Sequence, residues 1–151
     1  MFMSLKKKIL VIGSNGQIGT VLINRLCKKY GYENVIGSDL NPPRKSHKFI
    51  FELCSVLDKE KLELIINKHN IAEVYLLAAY LSAKGEENID KAWDLNINGL
   101  RHILNFAKDK KIKKIFWPSS IAVFGPSSPK NNVCSIHQSK SFSFMPFHAY
   151  T

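Results

Sequence analysis

The chain has 151 residues, 45% of them hydrophobic, which suits the core of one average domain. It has no apolar run near the roughly 20 residues that cross a bilayer. Its three cysteines, Cys27, Cys54 and Cys134, are scattered outside any disulfide or zinc spacing, so a reducing cytoplasm is expected, with no membrane and no metal. The net charge of +10 raises nucleic acid as a partner. The lysines, however, flank apolar strands or close helices and have no interleaved aromatic platforms, so a solvated surface and no nucleic acid are expected.

The opening MFMSLKKKILVIG is basic and then apolar. Its apolar run is short and enters a glycine turn with no small-residue cleavage site, so it reads as a first strand over 7–13 rather than a leader. A helix is predicted over 17–30, with Ile18, Val21, Leu22, Arg25 and Leu26 at helical spacing. NVIGS (34–38) and KFIFEL (48–53) read as the second and third strands, joined by DLNPPRKSH, which has no helical pattern. The segment 58–69 opens on an acidic cap, Asp58, and sets Leu62, Ile65 and Ile66 on one face. EVYLLAA (73–79) is a fourth strand. A long helix over 89–110 carries Ala92, Trp93, Leu95, Asn96, Leu100, Ile103, Leu104 and Ala107, and KIFWP (114–118) is a fifth strand.

This alternation predicts an α/β fold, a doubly wound parallel sheet of about five strands with helices on both faces. After Gly125 the pattern stops. Residues 126–151 are rich in Ser, Pro and Asn without a sustained period, and an irregular tail is expected behind a domain at 1–125. The five histidines have no ligand spacing and read as surface or structural groups.

The first strand and helix are joined by Gly13-Ser-Asn-Gly16-Gln-Ile-Gly19. The first glycine permits a tight turn, the second lets backbone approach a pyrophosphate, and the third lets the helix pack near the strand. The helix N-terminus behind them offers free N–H groups and partial positive charge. Asp39 ends the second strand, about twenty residues past the turn, where a carboxylate accepts from an adenosine ribose and repels a 2′-phosphate. NAD is therefore expected over NADP, with a Rossmann-type fold; Arg44 is near enough in sequence to weigh the other way.

On these residues the chain resembles the extended short-chain dehydrogenase/reductase superfamily, the NAD-dependent epimerases and dehydratases. It is most similar to the N-terminal part of short-chain-type L-threonine 3-dehydrogenases, which are close in fold to UDP-galactose 4-epimerase. ILVIGSNGQIG, Asp39, YLLAAYLSAKGEEN, AWDLNINGL and FWPSSIAVFGP carry the likeness, and LSAKGE with WPSSIAVFGP points to the threonine enzyme. The resemblance implies that Gly13, Gly16, Gln17, Ile18 and Gly19 hold the pyrophosphate, and that Asp39 and Leu40 hold the adenosine ribose. It places Val56 near adenine by its backbone; Ser55 stands where the family often has Asp. It implies that Leu77, Ala78, Ala79 and Asn96 line the cofactor groove and that Ser82 and Gly85 meet the amino-acid substrate, L-threonine. Ser120, with Ser119, matches the catalytic serine. From the residues alone, Ala78 and Ala79 also suit tight strand packing, Asn96 a bond to a nearby loop, and the serines strand-end caps.

The family reaction uses a tyrosine base with a lysine one helical turn later. Tyr80 and Lys84 have that spacing, but Gly85 follows at once and they lie after the fourth strand, so they read as part of the substrate loop. After Ser120 the only tyrosine is Tyr150, with one residue beyond it. A chain that binds NAD but is inactive by itself is therefore expected, with a tail out of frame from about residue 132 or derived from a disrupted gene. The resemblance also implies a homodimer whose interface is incomplete here, with Trp93 uncovered and low solubility or non-native association expected. A non-catalytic NAD-binding module and part of a nucleotide-sugar epimerase or dehydratase are the alternatives.

Overall fold

The structure, a computed structural model, describes residues 8–43, 46–80, 88–109 and 111–118. They fall in the first of two compact units, Met1–Pro118. Five strands form one sheet: β1 (Lys8–Ile12), β2 (Val35–Asp39), β3 (Ile50–Leu53), β4 (Ile71–Leu76) and β5 (Lys114–Phe116). Their order is β3-β2-β1-β4-β5 and every pairing is parallel. β1, at the centre, is apolar and buried from Ile9 to Ile12, because a middle strand has helices over both its faces.

Helix α1 (Gln17–Tyr30) lies on one face, packing Ile23, Leu26 and Cys27 on Ile9, Val11 and Val35. On the other face α2 (Lys59–His69) and α4 (Gly99–Lys108) cover Leu10, Ile12, Ile36, Val74 and Leu76 with Leu62, Ile65, Ile66, Ile103 and Phe106, and the short helix α3 (Ile89–Trp93) precedes α4. Each terminus has its local cause. Gly31 ends α1 at φ +91°, in the region where a side chain is strained. The Asp58 carboxylate caps α2 by accepting from Lys61 N–H at 3.0 Å, and Asn70 closes it in the left-handed conformation. Lys28 and Lys29 complement the last turn of α1.

The predicted elements are present; β3 and β5 are two residues shorter than expected, and β4 begins two residues earlier and ends three earlier. Among the described residues no helix joins β2 to β3. Two local readings need correction. The inward face of α1 is Gly19, Ile23, Leu26 and Cys27, while Ile18 and Val21 are 65% and 60% exposed. The close approach of Gly19 to the glycine turn sets the helix rotation and turns Ile18 and Val21 outward. The long helix is also interrupted by one π-helical turn, Asp94–Asn98, between α3 and α4. On the outer side of these helices Trp93 and Leu104 are about half exposed, whereas Ala92, Ile103 and Phe106 are buried.

Ile103 is fully buried in the larger core. Ile103→Val should cost about 1 kcal/mol through the lost methylene and its small cavity. Urea titration checks it, and an unchanged midpoint and slope would mean that the core relaxes around the gap.

Among the described residues no helix is long and apolar enough to cross a membrane. Cys27 and Cys54 are buried free thiols; Cys134 lies outside the described residues.

Candidate functional site

β2 and β3 run to one side of β1 while β4 lies on the other, so the strand order reverses between β1 and β4. In an open parallel sheet a ligand crevice opens at the carboxyl ends of the strands at such a point. The glycine turn sits there. Gly13 and Ser14 donate to the Ser38 carbonyl at 2.8 and 3.1 Å, tying the turn to β2. Leu77 and Ala78 donate to the Ile12 carbonyl at 2.8 and 3.1 Å, tying it to the end of β4.

The three glycines are distinct in what surrounds them. Gly13 has φ +85°, and a Cβ there would lie 2.7 Å from Ala78 N. A Cβ on Gly19 would lie 2.1 Å from the Gly13 carbonyl oxygen, so only glycine lets α1 start this close to the turn. At Gly16 a Cβ would meet only that same carbonyl, at 3.3 Å, and the outer side is open. Gly16 is the N-cap of α1, no side chain caps the first N–H groups, and no acidic residue stands in the first turn. Gln17 and Ile18 are exposed beside it. This is an uncapped helix end with room for an anion against its backbone.

Asp39 faces the turn from the end of β2. Its Oδ2 accepts from Asn15 N–H at 2.9 Å and its Oδ1 from Leu40 N–H at 2.8 Å. Oδ1 also accepts a long bond from Asn41 N–H at 3.5 Å, which leaves Oδ2 with a lone pair for a further donor. The Asn15 side-chain amide donates to the Asn41 carbonyl, a second tie between the turn and the β2 exit. Asn15 is a contributor missed at the sequence level, where Gly13, Gly16, Gln17, Ile18 and Gly19 of that motif drew a role and Asn15 did not. Leu40 is 60% exposed.

The β3 exit runs alongside: Cys54 N–H donates to the Asp39 carbonyl at 3.0 Å. Ser55 Oγ accepts from Leu57 N–H at 3.2 Å, a local turn bond, and Val56 is buried. Burial first, and Asp58 second, push the Cys54 thiol up to about 11, so it is no nucleophile at neutral pH.

On the β4 side Leu77 and Ala78 are half-buried and Ala79 is exposed. The π-turn places Asn96 against this exit. Its Oδ1 accepts from Tyr80 N–H at 2.8 Å and its Nδ2 donates to the Tyr80 carbonyl at 3.2 Å. Asn96 therefore clamps the loop backbone in the way an added strand would. Tyr80 lies in this non-helical exit segment, so it lacks the helical setting of a catalytic Tyr-x-x-x-Lys pair. Lys84, Ser82, Gly85, Ser119 and Ser120 lie outside the described residues. No cluster of metal-ligating side chains occurs among the described residues.

The NAD dependent epimerase/dehydratase family profile matches residues 9–150. The chain belongs to that family. An epimerase/dehydratase of Staphylococcus saprophyticus is 39% identical over 129 residues, covering 83% of this chain. The chain spans about 40% of the length of the curated relatives it matches. Among solved structures, a partial-consensus L-threonine 3-dehydrogenase is similar with TM-score 0.77 and 48% identity, over 81% of this chain and 39% of that one. The holo GalE-like L-threonine dehydrogenase from Cupriavidus necator has TM-score 0.76 and 43% identity, over 81% and 40%.

NAD is the cofactor of this family. The residues present fit it: the open space at Gly16, the uncapped start of α1 and the oriented Asp39 carboxylate match a pyrophosphate and its neighbouring ribose.

Proposed function

We propose that this chain is the NAD-binding part of an L-threonine 3-dehydrogenase-like oxidoreductase, converting L-threonine and NAD to 2-amino-3-oxobutanoate and NADH. The observation that carries it is the glycine turn with Asp39 braced against it, in a chain 43–48% identical to solved threonine dehydrogenases. NAD, when bound, supplies the hydride acceptor at its nicotinamide ring. Gly13, Gly16, Gln17, Ile18 and Gly19 hold the pyrophosphate by backbone N–H groups. Asp39, with Leu40 beside it, holds the adenosine ribose. Leu77, Ala78 and Ala79 form the wall at the β4 exit, and Asn96 holds that wall in place through Tyr80. Ser82 and Gly85 contact the amino acid, and Ser120, assisted by Ser119, steadies charge developing on the substrate oxygen.

A second reading has one observation in its favour. Within these 151 residues no Tyr-x-x-x-Lys follows Ser120. On that reading these 151 residues act as a binding module for NAD. Calorimetric titration with NAD, followed by an absorbance assay with L-threonine and NAD, tests both readings. The expected result is stoichiometric NAD binding without NADH formation. Turnover by this chain would overturn the need for that pair, and failure to bind NAD would overturn both readings.

A further inference from the structure

One histidine contacts the edge of this site from far along the chain. His102, half-buried on α4, places Nδ1 3.1 Å from the carbonyl oxygen of Val56, a residue 46 positions earlier. A carbonyl only accepts, so Nδ1 carries the hydrogen. The same helix grips the other side of Val56. A Cβ on Gly99 would stand 2.9 Å from Val56 Cγ1 and 3.2 Å from Cγ2, so the missing side chain lets α4 seat against it. Gly99 and His102 are one turn apart and face the same way. Val56 is thus held by its side chain and its carbonyl at once, and is 3% exposed.

The position of this grip matters because Val56 lies in the β3 exit, directly after the Cys54 N–H bond to the Asp39 carbonyl. Asp39 orients the ribose, so the segment beside it, at the carboxyl end of the neighbouring strand, borders the adenine. The π-turn contributes as well. Its extra residue rotates everything after it by about 100° relative to an unbroken helix. Gly99 and His102 meet Val56 in that register.

We infer that His102 is a positioning residue for the adenine end of the cofactor, acting through the Val56 carbonyl to hold the β3 exit at its height beside Asp39. This rests on the NAD reading above. Calorimetric titration of the full chain with NAD and with ADP-ribose tests it. His102→Ala should weaken both by the same factor, about five- to tenfold, the loss of one hydrogen bond and its ordering. His102→Asn, whose amide nitrogen overlays Nδ1, should restore most of the affinity. A purely structural role predicts a lower melting temperature for both variants and no rescue of ADP-ribose binding by Asn. Loss of NAD affinity with ADP-ribose affinity intact, or no loss of either, overturns the assignment. Absence of NAD and ADP-ribose binding by the unsubstituted chain overturns the NAD reading itself, and this inference with it.

Discussion

Gly19→Ala should weaken NAD binding strongly and destabilise the fold together. The added Cβ would stand 2.1 Å from the Gly13 carbonyl oxygen and 2.9 Å from Ser14 backbone atoms. Neither neighbour is a flexible side chain that could swing away. Relief requires α1 to move off the turn, which loosens Ile23 and Leu26 on Val11 and Val35. A shift of that kind costs about 3 kcal/mol or more. It also displaces the cradle by a distance that lowers affinity on the order of 100-fold. Gly16→Ala is the informative partner. Its Cβ meets only one carbonyl oxygen, at 3.3 Å, so the melt should change little, while the methyl occupies the open space that the proposed pyrophosphate site uses. Scanning calorimetry and NAD titration of the two variants therefore separate packing from ligand space. A Gly19→Ala protein with unaltered melting and affinity would mean that the turn is not the close-packed element described above.

Asp39→Asn should cost NAD about tenfold or more in affinity and erode the discrimination against NADP. The carboxylate accepts on both oxygens, from Asn15 N–H and Leu40 N–H. An amide of the same shape must turn its NH₂ toward one of those donors. If it faces Asn15, the tie between the glycine turn and β2 is lost; if it faces Leu40, the β2 exit is freed. Either way a ribose hydroxyl loses a charged acceptor, and a 2′-phosphate no longer meets a negative charge. The ratio of NADP to NAD dissociation constants should fall at least about tenfold, because charged hydrogen bonds are the stronger ones and a repulsion is also removed. Parallel titrations with the two nucleotides measure it. An unchanged ratio would place the ribose away from Asp39.

Other ion pairs act at the margins of the sheet. Glu52 on β3 accepts from Lys68 Nζ at 2.8 Å and from His69 Nε2 at 2.6 Å. Burial raises its carboxyl, yet the bonds from Lys68 and His69 prevail and hold it below the usual range. The pairing fastens the edge strand to α2. Tyr75 is pushed up to about 12, by burial first and then by its bond to Glu73, so it is a structural phenol.

Much of this protein is determined by local sequence. The apolar run of β1, the glycine spacing after it and Asp39 at the close of β2 are short-range patterns, and each constrains backbone or charge by itself. A buried central strand is apolar throughout, a left-handed turn calls for Gly13, and an acid at the end of β2 sets a negative charge beside the turn. The helix after Asp58 is legible for the same reason, since its cap and apolar stripe lie within a few residues of each other. Tertiary structure decided the rest. Which face of α1 turns inward was settled by Gly19 meeting the turn, against an apolar stripe that suggested Ile18 and Val21. The π-turn at Asp94–Asn98 left no mark in the periodicity, yet it aims Asn96 at Tyr80 and His102 at Val56. Those bonds join residues far apart in the chain. Their partners are chosen by how strands and helices stack, and neither end of such a bond carries a sign of the other in its own neighbourhood.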